Sequence, residues 1–146
     1  MVSEILIAVL VLALSVYWFR YNCLSILRTR ISRDRARQVA AANQLAFSQA
    51  ESRLDEQVGL PGLEEFSDEL DRDYKVLTCL LRYTAPAPYT IEQRILMIDF
   101  RLMQIRYRLT LRHMTGSARR SLAECARILE HFASTLSERT TALTRQ

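Results

Sequence analysis

The chain has 146 residues, 20 basic and 16 acidic side chains, a net charge of +4 and 49% apolar residues. Apart from an apolar N-terminal stretch, about 120 residues remain, enough for one soluble domain with a single core. Only three glycines and three prolines interrupt it, so the composition leaves few turns and predicts an all-α domain.

The first element is an apolar run, Ile5 to Phe19, preceded by Glu4 and followed by arginines. Fifteen residues are short for a bilayer, but Val2 to Tyr21 supplies about 20 residues and roughly 30 Å of helix. Residues 1–21 are therefore expected to be a transmembrane anchor. Tyr17, Trp18 and Tyr21 cluster at its second end as an aromatic belt. Trp18, Arg20, Tyr21, Arg28 and Arg30 are the expected lipid head-group contacts.

Between Arg20 and Arg37 six arginines face one acid, Asp34, so the positive-inside rule places the C-terminal side in the cytoplasm and the N-terminus outside. A cleaved signal peptide is the competing reading, because Ala13-Leu14-Ser15 offers a small-x-small step. The absence of positive charge ahead of the run favours an anchor that is retained. Residues 22–35 read as a basic juxtamembrane stalk, with Leu24, Leu27 and Ile31 among the arginines.

Beyond the stalk, residues 36–146 are divided by Gly59-Leu60-Pro61-Gly62, Ala85-Pro86-Ala87-Pro88 and Thr115-Gly116-Ser117, which predict breaks between four helices. The first continues from the membrane to about Val58, with Ala36, Ala40, Phe47, Ala50, Leu54 and Val58 at helical spacing and Asn43 in one of the slots. The second, about Leu63 to Tyr83, carries Leu63, Phe66, Leu70, Tyr74, Leu77 and Leu81. Thr90 with Gln93 announces the third as a capping box. The fourth begins after Ser117, with Leu122, Ala126, Leu129, Ala133, Leu136 and Leu143 on one face. Steps of three and four throughout predict an antiparallel cytoplasmic helical bundle of about four helices.

Charge supports the pairing of the second and third helices. Residues 51–73 hold nine acids and two bases, whereas residues 94–120 hold seven bases and one acid. A hairpin about the Pro86–Pro88 elbow brings the two blocks together, which specifies pairing more than it stabilises. Helix lengths also matter. A first helix reaching Val58 extends about 55 Å beyond the anchor and the third about 36 Å, which predicts a free stalk of about 20 Å.

The third helix has two apolar stripes. One is Ile91, Ile95, Ile98, Leu102, Ile105 and Leu109; the other, about 150° away, includes Leu96, Phe100, Met103 and Tyr107, with Arg94, Arg101 and Arg108 on a polar edge between them. Either this helix is central and contacted from both sides, or one stripe meets a second copy or another subunit. Under the second explanation the candidate interface is Leu96, Phe100, Met103 and Tyr107, because large rigid side chains dominate such contacts.

Chemistry is sparse. His113 and His131 fall about 20 Å apart in height and cannot share a metal; neither sits in an HExxH pattern. Cys79 and Cys125 are about 16 Å apart in height, beyond bridging distance, and cytoplasmic thiols stay reduced. Phosphate loops, GxSxG elbows and CxxC pairs are missing. The expectation is a protein that is not an enzyme, with no cofactor, metal, nucleic-acid or small-molecule ligand.

The segment YNCLSILRTRI, Tyr21 to Ile31, resembles the start of LemA-type membrane proteins, which also pass from an N-terminal anchor into a long helix and a helical bundle. The similarity covers about a dozen residues and implies shared architecture; it transfers no site residue. The functional expectation is a non-catalytic, membrane-anchored accessory or scaffold subunit of a larger membrane complex. The alternative is a self-assembling membrane-tethered adaptor or sensor that recruits a soluble partner.

Overall fold

The computed structural model describes residues 2–28, 33–55, 59–84 and 89–144, with the side chains of 26–28 and 33 excepted. Among the described residues every regular element is helical: α1 (Val2–Arg28), α2 (Arg33–Asn43), a 3-10 turn (Ala46–Gln49), α3 (Ala50–Asp55), α4 (Leu60–Thr84), α5 (Ile91–Thr110) and α6 (Thr115–Leu143). The chain divides into two compact units, Met1–Arg30 and Ile31–Gln146.

The first unit is α1. Its stretch Val2–Ser25, 24 residues, is long and apolar enough to cross a membrane, and none of its most apolar window is buried. Tyr17, Trp18 and Tyr21 are exposed, Arg20 is half-buried and Cys23 is fully buried. Asn22 donates its side-chain amide to the Trp18 carbonyl at 2.8 Å, satisfying a polar group without leaving the helix. The side chain of Arg28, the whole of Arg30 and the Pro86–Pro88 elbow lie outside the described residues.

In the second unit the single first helix expected up to Val58 is broken, and its place is taken by α2, the 3-10 turn and α3. The reason is local. Gln44 adopts a left-handed φ of 53°, and Leu45 donates its N–H to the Ala40 carbonyl at 2.9 Å, the six-to-one bond of a Schellman stop. Leu45 and Ala40 are both buried, completing the apolar contact that accompanies the motif. Glycine normally occupies the left-handed position; a Cβ there costs about 1 kcal/mol.

Two other breaks shift. The helix expected from Leu63 starts at Leu60, because Pro61 and Gly62 occupy its first turn, where a missing N–H costs nothing; Gly62 and Leu63 donate to the Gly59 carbonyl. Gly116 likewise sits in the first turn of α6. The capping box at α5 forms as the sequence predicts: the Gln93 N–H donates to Thr90 Oγ1 at 3.4 Å, and the Thr90 N–H donates to Gln93 Oε1 at 3.1 Å.

The core centres on α6, which packs against α2, α4 and α5. Its expected row is buried from Leu122 to Leu136, while Leu143 is exposed. Ala118, Ser121, Cys125, Ile128, Phe132 and Ser134 are buried as well, so α6 is apolar around most of its circumference, as a helix enclosed by three others requires. The central position that the sequence suggested for the third helix therefore belongs to α6. On α4 all six expected positions, Leu63 to Leu81, are buried.

α4 and α5 meet through side chains. Ser67 donates to Gln104 at 3.1 Å, Tyr74 stacks on Phe100 with ring centroids 4.3 Å apart and planes within 8°, and Tyr89, just ahead of α5, donates to the Thr78 carbonyl at 3.1 Å.

The 3-10 turn is held from outside. Leu45 precedes it and offers no side-chain cap; instead Asp73 Oδ2 of α4 accepts the N–H groups of Ala46 at 2.6 Å and Phe47 at 2.9 Å. These are the orphan donors that a helix start must satisfy. Asp73 is fully buried, and burial pushes its carboxyl above the ordinary carboxylate range, against the two hydrogen bonds and the nearby Arg72, which pull it down.

Candidate docking face

The two stripes of α5 are divided cleanly between core and solvent. Leu96 and Phe100 are 0% exposed, Met103 4% and Tyr107 3%, whereas Ile91 is 77% exposed, Ile98 54%, Leu102 43%, Ile105 55% and Leu109 71%. Leu96, Phe100, Met103 and Tyr107, expected as the candidate interface, are therefore core residues, and the face open to a partner is the opposite one. Size and shape explain the inversion. Phe100 stacks on Tyr74, and its backbone carbonyl lies 4.0 Å from Cys125 Sγ of α6; the aromatic and sulfur-bearing side fills the interior more completely than branched aliphatics would.

The inward face still carries polar groups. Among the described residues the buried Tyr107 hydroxyl has no hydrogen-bond partner, and burial raises its phenol above the ordinary tyrosine value, with Glu64 and Asp68 of α4 adding to the rise. The acidic start of α4 thus lies near the later half of α5, as the charge blocks suggested. Gln93 and Asp99 are also buried.

The outward face has a sharper pattern. Ile91, Ile95, Ile98, Leu102, Ile105 and Leu109 follow steps of 4, 3, 4, 3 and 4, the a/d alternation of a coiled-coil seam over about 27 Å of helix. Ile95 is half-buried and the other five are exposed. Arg94, Arg101 and Arg108 occupy the row directly beside the seam, and all three are exposed. The Arg101 guanidinium lies 5.6 Å from the centre of the Tyr74 ring, so part of this row is held in place by a cation–π contact. On the other side of the seam Arg106 donates to Ser117 at 3.3 Å.

Elsewhere, a crevice of about 210 Å³ opens among α2, the 3-10 turn, α3 and α6, lined by Phe47, Leu54 and Ala126 with Arg37, Arg127 and Glu130 at its sides, below the usual ligand-pocket range of about 300–1,000 Å³; a wider, open depression of about 610 Å³ lies among α2, the 3-10 turn, α3 and α4, lined by Ala40, Leu45, Gln49, Arg53 and Arg72. Among the described residues no group of three or more His, Cys, Asp or Glu side chains is placed to hold a metal. His131 is partly buried on α6, and burial lowers its imidazole below the usual histidine value, with Glu92 and Glu138 opposing. Cys23 and Cys125 are buried, Cys79 is exposed, and all three are free thiols.

No family model, curated protein or solved structure matches this chain.

Proposed function

We propose that this protein is a non-catalytic, single-pass membrane-anchored accessory or scaffold subunit of a larger membrane complex, docking through the exposed row of α5. The observation that carries the reading is that α1 and the α5 row are both apolar and both exposed within the chain, for different reasons. A helix whose most apolar window is exposed throughout suits lipid. An exposed apolar row on a helix whose opposite face is packed suits another protein.

The topology proposed with it is an antiparallel helical bundle on the cytoplasmic side, supported by the opposed numbering of the α4–α5 contacts and by the six arginines following the apolar run. An anchor confines the domain near its partner and raises the effective concentration, so a face of a few side chains suffices. The partners are other integral subunits; no catalytic role, cofactor or small-molecule substrate is part of the proposal.

Co-purification from native membranes tests it. The wild-type chain is expected to bring down integral subunits at fixed stoichiometry, and Ile98→Asp with Ile105→Asp to lose them while retaining helicity. A double variant that still recovers the same subunits at the same stoichiometry overturns docking through α5.

A further inference from the structure

We infer that the α5 row receives one kind of partner: an amphipathic helix with its own apolar a/d seam and acidic side chains in the row facing Arg94, Arg101 and Arg108. The inference rests on the docking reading and specifies the chemistry of the partner at that face.

Three observations carry it. The apolar positions of this face, exposed except for the half-buried Ile95, keep the 4-3 alternation without drift from Ile91 to Leu109, which produces a strip one helix wide. A helix embedded in a lipid surface carries a wider apolar arc with large aromatics, and none of the six positions here is aromatic. Beside the strip the arginines recur every seven residues, about 10.5 Å apart along the axis, the position where coiled coils place the charges that select a partner. All three are exposed.

A second copy of this chain is a poor occupant for the same reason. In an antiparallel pair the arginine row faces itself. In a parallel pair Arg101 faces Arg106 of the second copy, and Arg94 faces Asp99, which is fully buried within its own body. Like charges across a seam disfavour self-pairing. Nor does α4 of another copy fit, because its exposed acids Glu64, Glu65 and Asp68 accompany an apolar row that is already buried. The complementary helix therefore carries Glu or Asp at seven-residue intervals beside Leu, Ile or Val.

The test uses the full chain in neutral-lipid nanodiscs, with empty nanodiscs as background, and two labelled synthetic 28-residue helices read by fluorescence anisotropy. Both peptides carry Leu and Ile at a and d; one has Glu at every e and g position, its twin Lys. The acidic peptide is expected to bind at least tenfold more tightly than the twin. Arg94→Glu, Arg101→Glu and Arg108→Glu together are expected to reverse the preference, and Ile98→Asp with Ile105→Asp to abolish both interactions. Equal binding of the two peptides, or a preference that survives the triple reversal, overturns the inference. So does a row that instead holds anionic phosphatidylserine vesicles, or one whose substitution removes concentration-dependent self-association. If the Ile98 and Ile105 changes release integral subunits from native membranes but the peptides do not discriminate, docking through α5 stands and the acidic helix falls.

Discussion

α4 and α5 carry apolar rows of comparable regularity, yet α4 buries its row from Leu63 to Leu81 and α5 turns the row from Ile91 to Leu109 outward. The difference lies in what each helix has on its other side. Opposite its apolar row α4 has Glu64, Glu65, Asp68, Arg72 and Lys75, all exposed, so only one orientation keeps nearly all of its charge in solvent, with Asp73 alone of its acids taken inside as a cap. α5 has a second apolar face, and burying either one is compatible with the hydrophobic effect. The face that contains Phe100 and Tyr107 lies inside, where Phe100 finds a stacked partner in Tyr74 of α4 and its carbonyl approaches Cys125 of α6. An apolar repeat therefore marks a face that can be buried, and the competing face decides whether the chain's own core takes it.

The largest expected effect separates the two faces of α5 directly. Phe100→Ala is expected to cost about 3–5 kcal/mol of stability, the usual range for emptying a buried aromatic site, whereas Ile98→Ala on the outward row stays within about 0.5 kcal/mol. Denaturant titration of the full chain followed by far-UV circular dichroism measures both, and equal losses would erase the contrast.

The next effect concerns α4, whose buried side carries one acid among its apolar residues. Asp73→Ala leaves the Ala46 and Phe47 N–H groups without their acceptor and is expected to cost about 2 kcal/mol. Because burial raises the Asp73 carboxyl in the fold, the native state holds this proton more firmly than the unfolded chain does. The residue's contribution consequently declines as pH rises from the ordinary carboxylate range through the raised value. Asp73→Asn keeps an acceptor oxygen and is expected to flatten that decline in pH-dependent denaturation. An unchanged profile would remove Asp73 as its source.

A smaller effect, of opposite sign, is expected where α2 stops. Gln44→Gly relieves the left-handed backbone at φ 53° and is expected to stabilise the body by about 1 kcal/mol, reduced by the extra freedom glycine has when unfolded. Thermal unfolding that shows no gain would mean that the Schellman stop carries no strain.

The smallest effect is a slope. Burial lowers the His131 imidazole in the fold, so below about pH 6.5 the unfolded chain takes up the proton first, and stability falls as pH drops from there through the lowered value. His131→Gln is expected to remove that component of the acid sensitivity, leaving stability near neutral pH little changed.

Much of the fold was legible before any coordinates. The capping box at Thr90 and Gln93, the buried row of α4 and the apolar α1 each follow from local rules: a hydroxyl and an amide three residues apart, one apolar face opposite charge, and a long helix without charge between Glu4 and Arg20. The stop at Asn43 left a trace, since Asn43 occupied an apolar slot in the first segment. The left-handed turn at Gln44 did not, because neither glycine nor proline marks it and its neighbour Leu45 is held by burial. Asp73 was equally hidden: among the many acids between Glu51 and Asp73, only its position opposite the 3-10 turn separates a buried cap from a solvated charge.

Sequence alone determined that this chain is helical, that its first helix can cross a bilayer, and that the third helix of the body has two apolar faces flanked by evenly spaced arginines. Those properties depend on residue type and spacing within one helix. Tertiary structure decided which face of α5 lies inside, that α6 occupies the centre, and that α2 and α3 are separate elements. Such choices are set by competition among several surfaces for one limited interior, and no single helix contains the information to resolve it.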